Sequence, residues 1–280
     1  MPPEYGRIEG ESEHTYRNSG CVGSSELGMF KRNEALWAGL RGGRWPRTDT
    51  SHALGFGRLF HAMILQPEIV DATYAVMPKA DGRTKEGKAL KEAFMASHTD
   101  REVVTQADWE LCFEMRQALH ENVVASCWTE GAHEVTYRTS LDGLGIQCRC
   151  DTENRDEHWI SDLKSTDSLD KFRRTFRDYG YHRQSALYRL VVSKVLDIPL
   201  ASVKFMFVAV EKHPPYAVGI YQMTDQLNLL GESEVDAALA RMRAVKAGAK
   251  PRRDPEGVQM LDCPEYLLAD LNFSPEPEEF

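Results

Sequence analysis

Four polar residues in the middle of the chain have types and a spacing that could do chemistry together. Asp151 precedes the triplet Asp162-Leu163-Lys164, and Gln184 follows twenty residues later. Hard divalent ions such as Mg²⁺ take oxygen ligands, usually one or two carboxylates with waters and substrate phosphates. Asp151 and Asp162 can supply carboxylates, and the Leu163 backbone carbonyl a further oxygen. Lys164 would place a positive charge beside an attacking water.

Two strands are predicted to position these side chains. Gly145–Asp151 alternates apolar and polar residues with the period of a strand, which we expect to end at Asp151. Trp159–Lys164 predicts a second strand that pairs with the first as a hairpin. Because side chains alternate along a strand, Asp162 and Lys164 share one face and Leu163 points to the other. An isolated Asp-x-Lys triplet would be better explained as a solvent-facing surface hairpin.

A predicted helix follows the hairpin and carries the remaining polar residues. Ser165-Thr166-Asp167 is typical of a helix start, and the chain then continues through aromatic residues to Gln184 and Tyr188. Those two residues lie one helical turn apart and therefore share a face.

These residues together resemble a known family. Asp151, Asp162-Leu163-Lys164-Ser165-Thr166 and the run from Tyr181 to Tyr188 (Tyr-His-Arg-Gln-Ser-Ala-Leu-Tyr) are similar to the motifs of the PD-(D/E)XK nuclease superfamily. The resemblance is to RecB-type nuclease domains and lambda exonuclease, and most of all to RecE-type, exonuclease VIII-like proteins of phages and prophages. It extends from about Ser24 to the region of Tyr266.

The resemblance implies a fold and an activity. The fold would be α/β with a restriction-endonuclease-like core, a central mixed β-sheet flanked by helices. The activity would be Mg²⁺-dependent 5′–3′ digestion of one strand of linear duplex DNA, with Mn²⁺ as a possible substitute, leaving 3′ single-stranded overhangs for recombination. The catalytic residues would be Asp151, Asp162, Lys164, Gln184 and Tyr188.

Further metal-site residues follow from the same resemblance. Gly57 and His61 match a Gly-x-x-x-His motif on an apolar helix predicted over Leu54–Leu65, although a lone histidine there is more often a core residue. Glu134 opens a strand predicted before the hairpin and is a secondary candidate ligand. Glu110 and Glu114 share a helix face and could approach a metal, but a solvated face explains them better.

DNA contacts are predicted at five positions. Ser25 and Arg32 belong to a helix start with a serine cap near Ser24, and simple capping explains the serines equally well. Arg149, Arg177 and Arg183 would form a local basic lining, and each alone fits a solvated helix face. The net charge of −9 argues against a generic nucleic-acid coat protein, because phosphate contacts draw on Lys and Arg, but it is compatible with a nuclease.

The resemblance also implies partners: duplex DNA ends, a trimeric or tetrameric homo-oligomeric ring, and a single-strand annealing protein. Two alternatives stay open. One is another nuclease of the superfamily, either an endonuclease or a single-strand-specific enzyme. The other is a catalytically inactive DNA-end-binding protein, which would bind DNA without metal-dependent turnover.

The chain's length and composition set its expected organisation. We predict a flexible arm over residues 1–20, a single nuclease domain over 21–272 and an acidic, disordered tail over 273–280. No run approaches a membrane span and the N-terminus lacks a signal peptide. Six scattered cysteines indicate a reducing, cytoplasmic setting, which the resemblance implies to be that of a bacterium or a phage-infected host.

Other segments are predicted to build the core. A helix over Gln106–Ala125 would bury Trp109, Cys112, Phe113, Met115, Leu119 and Val123. Val203–Val210 and Ala217–Met223 predict two strands that extend the sheet, and residues 227–245 predict a long amphipathic helix or helix pair.

Overall fold

The structure, a computed structural model, describes residues 3–46, 52–254 and 258. In chain order its elements are β1 (Gly6–Ile8), α1 (Glu13–Asn18), α2 (Ser24–Arg32), α3 (Glu34–Arg41), α4 (His52–Leu65), α5 (Pro67–Thr73), β2 (Tyr74–Val76), α6 (Lys85–Ser97), β3 (Glu102–Val104), α7 (Gln106–Glu121), α8 (Val123–Cys127), β4 (Ala132–Leu141), β5 (Leu144–Asn154), β6 (Trp159–Thr166), α9 (Leu169–Thr175), α10 (Tyr181–Leu196), a 3₁₀ turn (Leu200–Ser202), β7 (Lys204–Glu211), β8 (Val218–Gln222) and α11 (Asp225–Lys246).

A six-stranded mixed sheet forms the centre, in the order β1-β4-β5-β6-β7-β8. Neighbouring strands are antiparallel except β6 and β7, which run parallel. A parallel pair needs a long crossover connection, and α9 and α10 supply it. The predicted α/β fold with a mixed sheet flanked by helices is therefore confirmed. Strands β2 and β3 form a separate parallel pair.

Hydrophobic cores lie on both faces of the sheet. On one face α2, α3, α10 and α11 pack against β5 side chains such as Ile146, Cys148 and Cys150. On the other, α4 and α7 pack against Leu163 of β6 and Val208 of β7. Because neighbouring residues of a strand face opposite sides, β6 and β7 contribute to both cores, with Ile160 and Phe207 in the first and Leu163 and Val208 in the second. The result is a three-layer arrangement with helices on either side.

The β5–β6 hairpin is present, but its ladder is short. Strand β5 continues past Asp151 to Asn154, so the prediction that it ends at Asp151 is wrong. Register pairs join β5 to β6 only from Thr152–Ser161 to Asn154–Trp159. Earlier in β5, Gln147 donates its N–H to the carbonyl of Val22 at 2.9 Å. The two strands therefore diverge at Asp151, which leaves room beside it for a site.

The N-terminal segment differs from the predicted flexible arm over residues 1–20. Gly6–Ile8 forms an edge strand of the sheet against β4. Arg138 of β4 is only 2% exposed, and its guanidinium donates to Glu11 at 2.8 Å. A buried charge is costly unless it is paired, so the segment supplies the counter-charge that the sheet needs. The predicted tail over 273–280 lies outside the described residues.

Two helical predictions need correction. Helix α2 begins at Ser24 after an N-cap at Gly23 that makes no side-chain capping bond, so the serines do not cap it. In α7, Cys112, Met115 and Leu119 are buried as expected, whereas Phe113 is 46% exposed and Val123, in α8, is 74% exposed. Phe113 lies about 100° around the helix from Cys112, outside the apolar stripe, and Val123 follows the break at Asn122.

The last helix agrees with the pattern over residues 227–245. It is one continuous α-helix of 22 residues, Asp225–Lys246, capped by Thr224. Its buried face includes Val235, Leu239 and Met242, which pack with α10 in the first core. No helix within the described part of the chain is both long enough and apolar enough to cross a membrane.

Candidate active site

Three side chains that could hold a metal ion meet where β5 and β6 diverge. His61 comes from α4, Glu134 from the start of β4 and Asp151 from β5. Each offers one ligand atom, and these atoms all lie within 4.8 Å of one another. The sheet register explains the carboxylate pair, because His133 lies opposite Thr152 and Val135 opposite Cys150. Glu134 and Asp151 therefore occupy facing positions between those two pairs.

Leu163 joins two of these side chains through its backbone. Its N–H donates to Asp151 Oδ2 at 2.6 Å, so a carboxylate takes the place of the missing ladder bond. Its carbonyl lies 2.9 Å from His61 Nε2. Since a carbonyl can only accept, Nε2 carries the proton, and in the neutral ring the Nδ1 lone pair points toward Asp151, 3.5 Å from Oδ2. Metal-binding histidines characteristically donate their other ring N–H to such a carbonyl.

Glu134 is held in an unfavourable environment in two respects. Its φ of +52° lies in the left-handed region, which is uncommon for a residue with a side chain and costs free energy unless the surrounding structure holds it. Burial and the Asp151 carboxylate raise the pKa of Glu134 to about 7, against smaller opposing effects of His61 and Arg149. Two neighbouring carboxylates and an imidazole nitrogen form a donor set that suits a divalent cation, whose charge would relieve their repulsion.

Asp162, Lys164 and Gln184 form a second group on the opposite side of the Leu163 backbone. Lys164 makes an ion pair with Asp162 Oδ2, and the Gln184 side-chain amide donates to Asp162 Oδ1. Burial raises the pKa of Asp162 to about 6, although Lys164 opposes the shift. Burial alone would lower the pKa of Lys164, but Asp162 and Asp151 outweigh it and raise that pKa. Lys164 is therefore a protonated ammonium in this arrangement.

The predicted site residues are thus divided in a way that the sequence did not indicate. Glu134, a secondary candidate, lies with His61 and Asp151 in the metal-binding cluster. Asp162 instead makes an ion pair with Lys164 and accepts a hydrogen bond from Gln184. Sequence spacing could not reveal this because side-chain partners depend on where β5 and β6 separate. Tyr188 is buried in the first core, its ring 5.8 Å from that of Phe205.

The five predicted DNA contacts differ in accessibility. Ser25, Arg32 and Arg177 are exposed. Arg149 instead donates to Glu13 at 2.9 Å and to the Glu11 carbonyl at 3.0 Å, and it lies over the ring of Tyr16. These contacts explain Arg149 as a structural residue that binds the N-terminal segment. The acidic residues of that segment were the sequence feature that could have indicated this role.

The other charged candidates lie outside the metal-binding cluster. Arg183 donates to Glu234 of α11 at 3.0 Å. Glu110 and Glu114 are exposed on α7, and Glu110 accepts a hydrogen bond from Gln106 at 2.8 Å. The solvated face that the sequence favoured for these two glutamates agrees with their positions.

A cavity of about 410 Å³ lies elsewhere, between the α2–α3 junction and α11. Its lining contains acidic and basic side chains, and most of these form ion pairs with each other, such as Arg241 with Glu34 at 2.8 Å. Arg32 is the single predicted DNA-contact residue in its lining. The cavity therefore does not compete with the carboxylate cluster as the candidate catalytic centre.

Residues 23–263 match the model of a family described as "PDDEXK-like domain of unknown function (DUF3799)". The chain belongs to this family. It is therefore a member of the PD-(D/E)XK nuclease superfamily, as its motifs indicated. No curated protein matches the chain.

A solved structure supports the same fold. The chain resembles a crystal structure from Eubacterium rectale, described as "Putative exonuclease", with a TM-score of 0.64 and 17% sequence identity. The similarity covers 95% of this chain and 98% of that one. At this level of identity the likeness establishes the fold alone, and it spans nearly the full length of each chain.

Proposed function

We propose that this PDDEXK-like protein is a metal-dependent deoxyribonuclease that digests one strand of linear duplex DNA in the 5′–3′ direction, leaving 3′ single-stranded overhangs for recombination. The observation that carries the proposal is the convergence of His61, Glu134 and Asp151 within 4.8 Å beside the Asp162–Lys164 pair. A metal-binding donor set can promote phosphodiester hydrolysis, and the half-buried Lys164 beside it supplies a positive charge for the phosphate.

The metal would be held by His61, Glu134 and Asp151, and the carboxylates favour Mg²⁺, with Mn²⁺ as a possible substitute. When bound, such an ion stabilises negative charge on phosphate oxygens and promotes ionisation of water. The Leu163 backbone fixes two of these residues, since its N–H holds Asp151 and its carbonyl orients His61. The carbonyl's second lone pair keeps it available as a further oxygen ligand.

The second group would act on the substrate. Lys164, held by its ion pair with Asp162, would donate hydrogen bonds to the attacking water and to a phosphate oxygen. Gln184 fixes Asp162 from the other side and so keeps the lysine in position. Tyr188, buried one turn further along α10, would brace that helix. Asp162 would thus contribute to catalysis through Lys164 as well as through charge near the metal.

Recognition of a DNA end would draw on exposed residues of the described surface, namely Ser25, Arg32 and Arg177. The net charge of −9 requires that basic side chains face the DNA and acidic ones face away. A ring of three or four copies would satisfy that requirement and keep the threaded strand in place between cuts. The proposal includes such a ring, a single-strand annealing protein as partner and a cytoplasmic location.

The test is digestion of end-labelled linear duplex DNA beside closed circular duplex and single-stranded DNA, with Mg²⁺, with Mn²⁺ and with chelator. We expect metal-dependent release of mononucleotides from the 5′ ends of the linear duplex, with circles spared. Cleavage of the circular duplex would indicate an endonuclease instead of an exonuclease. Preferential digestion of the single-stranded DNA would indicate a single-strand-specific enzyme. DNA binding with no cleavage under any condition would contradict an enzymatic function.

A variant tests whether the site itself does the cutting. Asp162→Ala should abolish cleavage, because it removes the partner that positions Lys164. Asp156→Ala, an exposed aspartate in the β5–β6 turn, is the matched control and should cleave normally. Circular dichroism and gel filtration would show whether both variants fold. Full activity in folded Asp162→Ala protein would remove this site from the proposal.

A further inference from the structure

The turn between α9 and α10 carries a tyrosine that is held in place but not covered. Tyr179 is 63% exposed. One face of its ring stacks on Tyr181, with ring centroids 5.6 Å apart and planes inclined by 27°. Aromatic side chains contribute most binding or folding free energy when their surface is buried. The free face of the Tyr179 ring, held in place by Tyr181, could therefore stack against a planar ligand.

The stack leads directly to the candidate active site. Tyr181 packs inward against Phe172, at 5.4 Å, and Phe207, at 5.3 Å. The Lys164 ammonium lies 5.2 Å from the centre of the Tyr181 ring, and Lys164 in turn contacts Asp162. Two successive contacts therefore separate the exposed ring from the lysine proposed to contact the phosphate.

The backbone fixes the exposed ring in this position. Tyr179 donates its N–H to the Thr175 carbonyl at 3.1 Å, and Gly180 donates to the Arg177 carbonyl at 2.9 Å. Gly180 has a φ of +74°, and a Cβ there would lie 2.4 Å from the Arg183 guanidinium. The tight glycine turn sets Tyr179 and Tyr181 side by side, so little conformational freedom is left to lose on binding.

The surrounding surface is basic in an otherwise acidic protein. Arg174 and Arg177 are exposed, and among the described residues neither makes an ion pair. Exposed acids nearby are Asp167, Asp170 and Asp178, of which Asp167 is paired with Lys171 and Asp170 with Arg173. Basic side chains that follow a phosphate backbone, combined with aromatic rings on which bases stack, are the features by which proteins hold single-stranded nucleic acid.

We propose that Tyr179 is a stacking site for an unpaired nucleobase of the strand being cut, beside the phosphate that faces Lys164, with Arg174 and Arg177 contacting the flanking phosphates. This inference rests on the proposed nuclease function and narrows its substrate class. The strand end would enter the site separated from its complement, because a base within the duplex is already stacked on both faces and has none free for the ring.

Binding measurements in chelator, where no cleavage occurs, test this role on the full chain. The probes are a fluorescein-labelled single strand and a duplex with a short unpaired 5′ end. Loss of one base–aromatic stack weakens binding by about 5- to 150-fold, so we expect about a 10-fold loss for Tyr179→Ala and none for Tyr179→Phe or Tyr179→Trp. Tyr5→Ala is the matched control, since Tyr5 is 51% exposed and lies just before the edge strand β1, whereas the Tyr179–Tyr181 stack packs on β7.

Abasic nucleotides separate stacking from a general effect on the fold. Replacing the bases one at a time should weaken binding to the wild-type protein at the stacked position and leave binding to Tyr179→Ala unchanged there. The two changes would then be non-additive, as expected for groups in contact. Equal sensitivity of both proteins at every position would overturn the inference.

Two further outcomes are distinct from failure of the nuclease proposal. Normal metal-dependent cleavage with unchanged DNA binding in Tyr179→Ala would refute the stacking site alone, whereas absence of any binding or cleavage by the wild-type protein would refute the function on which it rests. A change in sedimentation of Tyr179→Ala, with unaltered DNA affinity per protomer, would show that the ring is a contact between copies and would also overturn the inference.

Discussion

Glu134 and Glu234 have the same side chain and the same ordinary pKa of 4.5, and the fold drives their pKa values in opposite directions. Glu134 sits beside Asp151, and burial together with that second carboxylate raises its pKa to about 7. Glu234 lies on α11, where burial also favours the neutral form, but Lys31 and Arg183 outweigh it and lower the pKa to about 2. The difference lies in which positive groups the chain supplies.

Glu234 is surrounded by cations from two other helices. Lys31 of α2 contacts its carboxylate, and Arg183 of α10 donates to it at 3.0 Å. Glu134 has only a distant guanidinium, with Arg149 Nε at 4.0 Å, and a histidine close by. A carboxylate that joins helices is neutralised within the fold, whereas the carboxylates at the candidate site are left for a cation from outside.

Asp162 lies between these two glutamates in its electrostatic environment, because a single cation, Lys164, neutralises its carboxylate. Lys164→Met would convert it into an uncompensated carboxylate and is expected to have the largest effect on stability. Removing one partner of a buried pair costs about 3–5 kcal/mol, and cleavage should be lost. Thermal or urea denaturation would measure the cost. The double variant Asp162→Asn/Lys164→Met should recover most of the stability without recovering cleavage; a double variant as unstable as the single one would contradict the pairing.

The sequence predicted the parts of this site that depend on local pattern. Alternation in Gly145–Asp151 and Trp159–Lys164 predicted the hairpin, and the apolar run before Leu65 predicted α4, which carries His61. The helix of Gln184 was predicted from its motif, and its side chain does contact Asp162. Periodicity is a property of neighbouring residues, so these elements could be read from short windows.

What could not be predicted depends on contacts between distant segments. The N-terminal residues have no periodicity, and their role becomes evident only through Arg138 and Arg149, whose guanidinium groups contact Glu11 and Glu13. Two arginines in neighbouring central strands, Arg138 in β4 and Arg149 in β5, were a signal that nearby acids would be needed, but no sequence distance indicates which acids. The division of the candidate ligands has the same origin, since it depends on where β6 leaves β5.

Glu134→Gln tests whether the carboxylate with the raised pKa is a metal ligand. We expect cleavage to fall at least about 100-fold, equivalent to about 2.7 kcal/mol of barrier, because a ligand charge is lost. Stability without metal should not fall, since the change removes repulsion with Asp151. Added Mn²⁺ should raise the melting temperature of the wild-type protein, by ordinary ligand linkage, and not that of the variant.

The control for this variant is Glu130→Gln, an exposed glutamate just before β4. It should keep cleavage and the Mn²⁺-dependent rise in melting temperature. A Glu134→Gln protein that is stabilised by Mn²⁺ as much as the wild type would exclude Glu134 as a ligand and leave its raised pKa as a consequence of burial alone.

Glu234→Gln should have the reverse and smallest effect, about 1 kcal/mol of lost stability at neutral pH with cleavage within about twofold of wild type. The folded-state pKa of Glu234 is lowered, so its contribution is complete above the ordinary value of 4.5 and is lost as the pH falls toward about 2. The stability difference between the two proteins should therefore shrink across that window.

Asp167→Asn is the control at an exposed position. The Lys171 hydrogen bond also lowers the pKa of Asp167, but solvent screens this pair, so the loss of stability should lie within measurement error. An equal loss in both variants would show that burial between helices adds nothing to the Glu234 contacts.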